Sequence, residues 1–164
     1  IYCETGDISI EHHYKQGYMV SYSYMDKTGA MVSPVEVKNE TGTIKTYYKT
    51  GTPAIEYTLK QGALEGKRVL YFTNGKVQTE EMYKNNELNG LTKIYYASGK
   101  LKAEENYSDD EKNGKCTYYF ENGKIKREEY YIAGKQHGIC KNYDATGKVT
   151  NTYVYYNDEM IDEK

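Results

Sequence analysis

Short runs in which Tyr, Val, Ile, Leu and Phe alternate with Lys, Glu and Thr succeed one another along the chain, each bounded by a glycine-containing turn signal. Alternation of period two marks a half-buried β-strand, so the pattern predicts strands and almost no helix. The runs recur every 24 residues. Gly42, Gly66, Gly90, Gly114 and Gly138 form one series, and Gly51, Gly75, Gly99, Gly123 and Gly147 a second. Tyr47, Tyr71, Tyr95, Tyr119 and Tyr143 fall between them. An apolar residue follows each second glycine (Pro53, Val77, Leu101, Ile125, Val149), and then a glutamate in Glu56, Glu80, Glu104 and Glu128. A fixed period of this length signals stacked supersecondary units. The predicted fold is all-β, an elongated antiparallel meander of tandem β-hairpins in a single sheet. Residues 1–41 read as degenerate copies, 42–137 as four regular copies, and 138–164 as a capping copy with an acidic tail.

Asn74-Gly75 and Asn122-Gly123 match the two-residue type I′ turn, in which both central residues have positive φ. Thr50-Gly51, Ser98-Gly99 and Thr146-Gly147 suit a three-residue loop with a glycine bulge equally well, and a one-residue change of register exchanges the faces. The two-residue register pairs Phe72 with Val77, Tyr95 with Lys102, Tyr119 with Lys126, and Lys93 with Glu104. One face then gathers Phe72, Val77, Ile94, Tyr96, Leu101, Phe120 and Ile125. The other carries Tyr71, Tyr95 and Tyr119 beside Glu80, Glu104 and Glu128. Asp26 to Gly29 reads as a longer turn in an irregular copy. In the last copy Asn142 and Asp144 replace large apolar residues, which predicts a polar C-terminal edge that resists further pairing.

Composition modifies this picture in one respect. Leu, Ile, Val and Phe make up only about a sixth of the 164 residues, below the ~20% that accompanies disorder. The 21 tyrosines and a net charge of only −2 argue the other way, because a Tyr ring buries its body while its hydroxyl stays wet. The 22 basic and 24 acidic residues are interspersed, which leaves no basic stripe for nucleic acid or an anionic membrane. No apolar run is long enough for a transmembrane helix. Ile1 is no initiator methionine and falls inside a degenerate copy that includes Tyr2 and Gly6. The natural N-terminus is therefore expected upstream, and localisation stays open.

Segments such as GKRVLYFTNGKVQTEEMYKNNELNG and GKCTYYFENGKIKREEYYIAGKQHG resemble the bacterial MORN-variant repeat family (membrane occupation and recognition nexus), strongly over about 42–150 and weakly over 1–41. The resemblance implies antiparallel hairpins laid side by side. Some members of that family act as antitoxin or immunity partners of secreted toxins. TYYFENGK is also similar to choline- and cell-wall-binding repeats, which are shorter and usually carry Trp, whereas this chain has none.

Candidate chemistry is sparse. Cys116 and Cys140 lie one copy apart, hence two strands or roughly 9.5 Å, too far for a disulfide; they are expected to be free apolar fillers, with Cys3 several strands away. His12 and His13 point to opposite faces of a strand and are expected at the surface. Glu80-Glu81, Glu104-Glu105 and Glu128-Glu129 are divided in the same way and read as solvated charges. No cofactor, metal site or catalytic constellation is expected. The reading is a non-catalytic scaffold for another protein, antitoxin- or immunity-like, with carbohydrate or cell wall as the alternative partner. Tyr71, Tyr95, Tyr119, Glu80, Glu104 and Glu128 are the candidate binding residues.

Overall fold

The computed structural model describes residues 10–26 and 28–163, and Cys3 with the copy around Tyr2 and Gly6 lies outside them. No helix occurs among the described residues. The all-β antiparallel meander of consecutive hairpins is present, and its sheet is not closed. Contacts divide the chain into two units, residues 1–78 with 83–86, and residues 79–82 with 87–164.

In the first unit, β1 (Ile10–Lys15), β2 (Tyr18–Tyr24) and β3 (Val35–Glu36) form a three-stranded sheet of their own. β4 (Gly42–Tyr47), β5 (Pro53–Lys60), β6 (Ala63–Tyr71) and β7 (Val77–Lys84) follow as neighbours in the larger sheet. The degenerate copies thus do not simply extend one layer. Met19, Tyr22 and Val37 pack with Ile44 and Leu59 into a buried cluster, and Tyr22 accepts a hydrogen bond from the Lys45 N–H at 3.2 Å. His12 and His13 are half-buried rather than surface residues. His13 bonds the Ser23 hydroxyl at 3.0 Å, and burial lowers the His12 pKa.

The second unit continues from the middle of β7 through β8 (Glu87–Leu88), β9 (Gly90–Tyr95), β10 (Leu101–Ser108), β11 (Glu111–Lys112), β12 (Gly114–Tyr119), β13 (Ile125–Ile132), β14 (Lys135–Gln136), β15 (Gly138–Tyr143), β16 (Val149–Tyr156) and β17 (Glu159–Glu163). The stretch read as an acidic tail is therefore largely a strand, and neither Asn142 nor Asp144 lies at its edge. Asn142 pairs with Asn151 inside the sheet. The Asp144 carboxylate instead caps a turn, accepting from the Thr146 and Lys148 N–H groups at 2.8 and 3.1 Å. Asp26 closes its turn onto Ala30 with the same bonds, so that turn is not longer than the others.

The turns differ from the sequence reading in an instructive way. Asn74-Gly75 and Asn122-Gly123 are not type I′, since of each pair only the glycine has positive φ. Phe72 closes onto Lys76, Tyr96 onto Lys100 and Phe120 onto Lys124, with Gly75, Gly99 and Gly123 left-handed. This is the three-residue loop with a glycine bulge. The type I′ turns lie at the opposite ends of the hairpins, where both central residues have positive φ: Gln61-Gly62, Asn85-Asn86, Asp109-Asp110, Ala133-Gly134 and Asn157-Asp158. Ser108 pairs directly with Glu111 and Ile132 with Lys135 across two of them.

These turns also tie each copy to the one before. Asn86, Asp110 and Asp158 each accept a backbone N–H from 22 residues earlier, on Leu64, Leu88 and Gln136, all at 2.7 Å. Gly134 occupies the same position without a side chain, and its own N–H reaches the Lys112 carbonyl at 2.9 Å. Asn tolerates left-handed backbone better than Ala does, and a Cβ at Gly134 would meet only ordinary contacts with Glu111. Gly134→Asn is expected to raise stability by about 1 kcal/mol, whereas Gly134→Ala, at φ +75 and with no acceptor, should lower it by about the same. Urea titration reads both, and equal midpoints for the two variants would show that the clamp contributes nothing.

Candidate binding surface

A bulge beside each three-residue loop decides which side chains share a face. Leu101 pairs with Tyr95 and Ala103 with Ile94, which leaves Lys102 unpaired between them. Tyr119 with Ile125 and Tyr118 with Arg127 repeat the arrangement, as do Tyr143 with Val149 and Asn142 with Asn151. The loop shifts the register by one residue and the bulge shifts it back, so Lys93 does face Glu104 while Tyr95 does not face Lys102. The consequence is an exchange of faces. Leu101 and Ile125, read as partners of Ile94 and Phe120, join the tyrosine row instead. Lys102 and Lys126 cross over, with their ammonium groups 5.8 and 5.9 Å from the Tyr96 and Phe120 rings.

On the tyrosine face of the second unit, hydroxyl and carboxylate form repeated rungs. Tyr95 donates to Glu80 at 3.1 Å and Tyr119 to Glu104 at 2.9 Å, and Tyr143 donates to Glu128. Lys93 lies 3.7 Å from Glu104, and Lys115 pairs with Glu128. Burial and the bond to Glu104 push Tyr119 up to about 12, and the bond to Glu128 together with burial takes Tyr143 to about 12 as well. Bonds from Lys115 and Tyr143 lower the Glu128 carboxyl. At neutral pH the Tyr119 and Tyr143 phenols therefore stay protonated and the Glu128 carboxylate ionised. The face holds these rings in fixed positions. Tyr71 belongs to the first unit, on β6, where its carbonyl accepts the Tyr48 hydroxyl at 2.6 Å.

The structure therefore brings Tyr95, Tyr119, Glu80, Glu104 and Glu128 together on one face, and it adds Tyr143, Leu101, Ile125 and Val149. Apolar side chains also stand exposed on that face: Met82, Leu91, Tyr130, Ile132 and Ile139. The face is thus more apolar than the sequence reading allowed. The three-residue loop that Ser98-Gly99 already permitted is the signal that carries Leu101 across, whereas Ile125 follows Asn122-Gly123, which read as type I′ and forms the same three-residue loop.

The opposite face holds what the sequence reading missed. Glu105 and Glu129 are buried, not solvated. Glu105 accepts from Lys112 at 2.7 Å, Tyr118 at 2.8 Å and Tyr107 at 2.9 Å. Glu129 accepts from Tyr131 at 2.9 Å and Gln136 at 3.1 Å, and pairs with Arg127. The Lys112 ammonium also lies 5.6 Å from the Tyr118 ring and 5.3 Å from that of Tyr131. Beneath these groups Cys116 and Cys140 are free and fully enclosed, and burial raises both thiols. Among the described residues no cluster of His, Cys, Asp and Glu is grouped to hold a metal ion, and no helix is long and apolar enough to cross a membrane.

Tandem hairpins joined by type I′ turns, with glycine-bulged loops at the far ends and a tyrosine on each rung, define a β-hairpin repeat module. The chain belongs to the MORN repeat variant family, whose model matches residues 64–85, 88–109, 112–133 and 136–158, more than half of the chain. Each match begins just after one type I′ turn and ends within the next. MORN repeats are a non-enzymatic module generally associated with binding protein or membrane lipid. No curated protein matches the chain significantly.

Burial alone would raise the Glu105 carboxyl, but the bonds from Lys112, Tyr118 and Tyr107 outweigh it and the pKa is lowered. A depressed carboxyl contributes stability above its unfolded value of about 4.3 and loses it as pH falls through the folded value. Glu105→Gln should cost about 2 kcal/mol at neutral pH, because an amide turns a donor toward the ammonium and the hydroxyls. The loss should shrink on acidification below about pH 4, since the wild-type carboxylate is then protonated too. Denaturation midpoints measured across that range check this, and a pH-independent difference would sink it.

Proposed function

We propose that the chain is a non-catalytic scaffold that binds another protein through the tyrosine face of its hairpins. The observation that carries this reading is the rung of Tyr95–Glu80, Tyr119–Glu104 and Tyr143–Glu128 bonds, repeated beside the exposed apolar residues Leu91, Tyr130 and Ile139. A tyrosine held by its hydroxyl presents a large ring at little further entropic cost, and such rings dominate protein interfaces. Glu104 and Glu128 already have lysine partners. The surface therefore suits an amphipathic protein segment better than a purely basic one. The antitoxin- or immunity-like role implied by the family resemblance is one instance of this reading. Carbohydrate is the less favoured partner, since sugar stacking needs an uncovered ring face and these rings are half-buried.

The test uses Tyr95→Ala with Tyr119→Ala, set against Tyr95→Phe with Tyr119→Phe, and the partner recovered by affinity capture from the native organism. The alanine pair should weaken binding at least tenfold, about 1–2 kcal/mol per ring, while the phenylalanine pair keeps most of it. Unchanged binding by the alanine pair, or a collapsed thermal melt with no separate binding defect, returns the tyrosines to a structural role.

A further inference from the structure

Neighbouring copies place side chains at equivalent points of the tyrosine face, so each copy serves as a control for the next. Near the type I′ turns one copy carries Asn106, Ser108, Asn113 and Lys115, and the copy after it carries Tyr130, Ile132, His137 and Ile139 at the same four positions. The backbone is alike in both. The Asn113 N–H reaches the Asn106 carbonyl and the His137 N–H the Tyr130 carbonyl, each at 2.8 Å. The fold therefore accepts polar side chains at these points and does not require the apolar ones.

The apolar residues of this one copy form a continuous patch. Tyr130, Ile132 and Ile139 are 40, 55 and 50% exposed. Val154 pairs with Ile139 across β15 and β16, and the Tyr156 ring, 57% exposed, lies 5.1 Å from that of His137. Tyr130, Ile132, His137 and Ile139 line a shallow groove of about 570 Å³. The four most exposed side chains present roughly 400 Å², a size at which an apolar patch on a monomer is often a functional site, but about half of the ~800 Å² that each partner gives a stable complex. A second copy of the chain is accordingly a poor occupant, and a short segment a good one.

Charge borders the patch on two sides. Toward the loops stand Lys115, Glu128 and Lys141, with Lys115 paired across the ladder to Tyr130 and Lys141 to Glu128. Toward the turns stand Glu111, Lys135 and Glu159, with Lys135 paired to Ile132 and Glu159 to Tyr156. One side is net positive and the other net negative. Their sum is zero, so an anionic bilayer gains nothing here, whereas a segment with an acid at one end and a base at the other is matched.

We infer that this patch is the centre of the protein-binding face and takes an amphipathic segment of another protein. Large apolar residues of the segment cover Tyr130 and Ile139, an Asp or Glu points toward Lys115 and Lys141, and a Lys or Arg toward Glu111 and Glu159. The inference rests on the reading of the tyrosine face as a protein-binding surface and narrows that reading to one copy.

The test selects peptides from a phage-displayed random library on the whole folded chain and measures their affinity for variants. The selected sequences should share the acid–apolar–base order. Tyr130→Asn with Ile139→Lys copies Asn106 and Lys115 of the preceding repeat, and should keep the thermal melt while weakening the peptides at least tenfold. Ile132→Ser copies Ser108 and should weaken them several-fold by itself. Lys141→Thr copies Thr117 and should weaken them about threefold, by less as salt is raised. Peptides that tolerate the patch variants but are lost in the Tyr95→Ala, Tyr119→Ala pair would overturn this inference and leave the broader reading of the face standing; peptides affected by none of these variants would overturn both. A consensus without the acid–apolar–base order, no peptide selected above background, or binding of phosphatidylserine–phosphatidylcholine vesicles that the patch variants abolish would each overturn it as well.

Discussion

Register between neighbouring strands is the constraint on which every other feature of this molecule depends. Side chains alternate with a period of two, so one residue of slip exchanges the faces of a whole strand. Here register is set at both ends of each hairpin by backbone with positive φ. A two-residue type I′ turn fixes one end, and at the other a three-residue loop is offset by a bulge. The two irregularities at that end cancel along the body of the strand but not beside the loop. Leu101 and Ile125 consequently sit among the tyrosines, while Lys102 and Lys126 lie over the rings of the opposite face.

A sheet with few aliphatic residues needs another source of cohesion. In the first unit a separate three-stranded sheet supplies Met19 and Tyr22 to a conventional apolar cluster. The described part of the second unit instead relies on buried carboxylates satisfied by several donors at once, as at Glu105 and Glu129. Such groups are tolerable only when their partners are in place, since a buried carboxylate stripped of one donor costs more than an exposed pair contributes. Tyrosine serves both ends of this arrangement, because its ring covers the enclosed cysteines and its hydroxyl satisfies the acid.

The period, the all-β class and the placing of Tyr95 and Tyr119 on one face with Glu80, Glu104 and Glu128 were legible in the chain, because glycine and tyrosine recur without a slip and alternation has a single structural meaning. The turn types were not. Asn-Gly is a strong type I′ signal, yet Asn122 uses its side chain to accept the Lys124 N–H, and that local bond favours the bulged loop. The actual type I′ positions vary from Gln61-Gly62 to Asp109-Asp110 and Ala133-Gly134, so residue identity gives little warning of them. Glu105 could not be distinguished from Glu104 by composition. Only the face on which each falls, and the lysine and tyrosines that converge there, make one buried and the other half-exposed. Asn142 and Asp144 show the same limit, since loss of an apolar residue looks alike whether it marks an edge or a turn cap.

The bonds from Asn86, Asp110 and Asp158 back to backbone 22 residues earlier give the array a grammar of permitted lengths. Removing a complete copy between equivalent turns would rejoin a side-chain acceptor to an N–H of the same kind and leave each remaining rung with its neighbour. Removing half a copy would strand an acceptor at one end and a tyrosine at the other. From Gln61-Gly62 onward the turns keep a spacing of 24 residues, so the regular copies keep their clamps when they lengthen or shorten in whole steps of 24, and the reach of any surface they present is quantised accordingly.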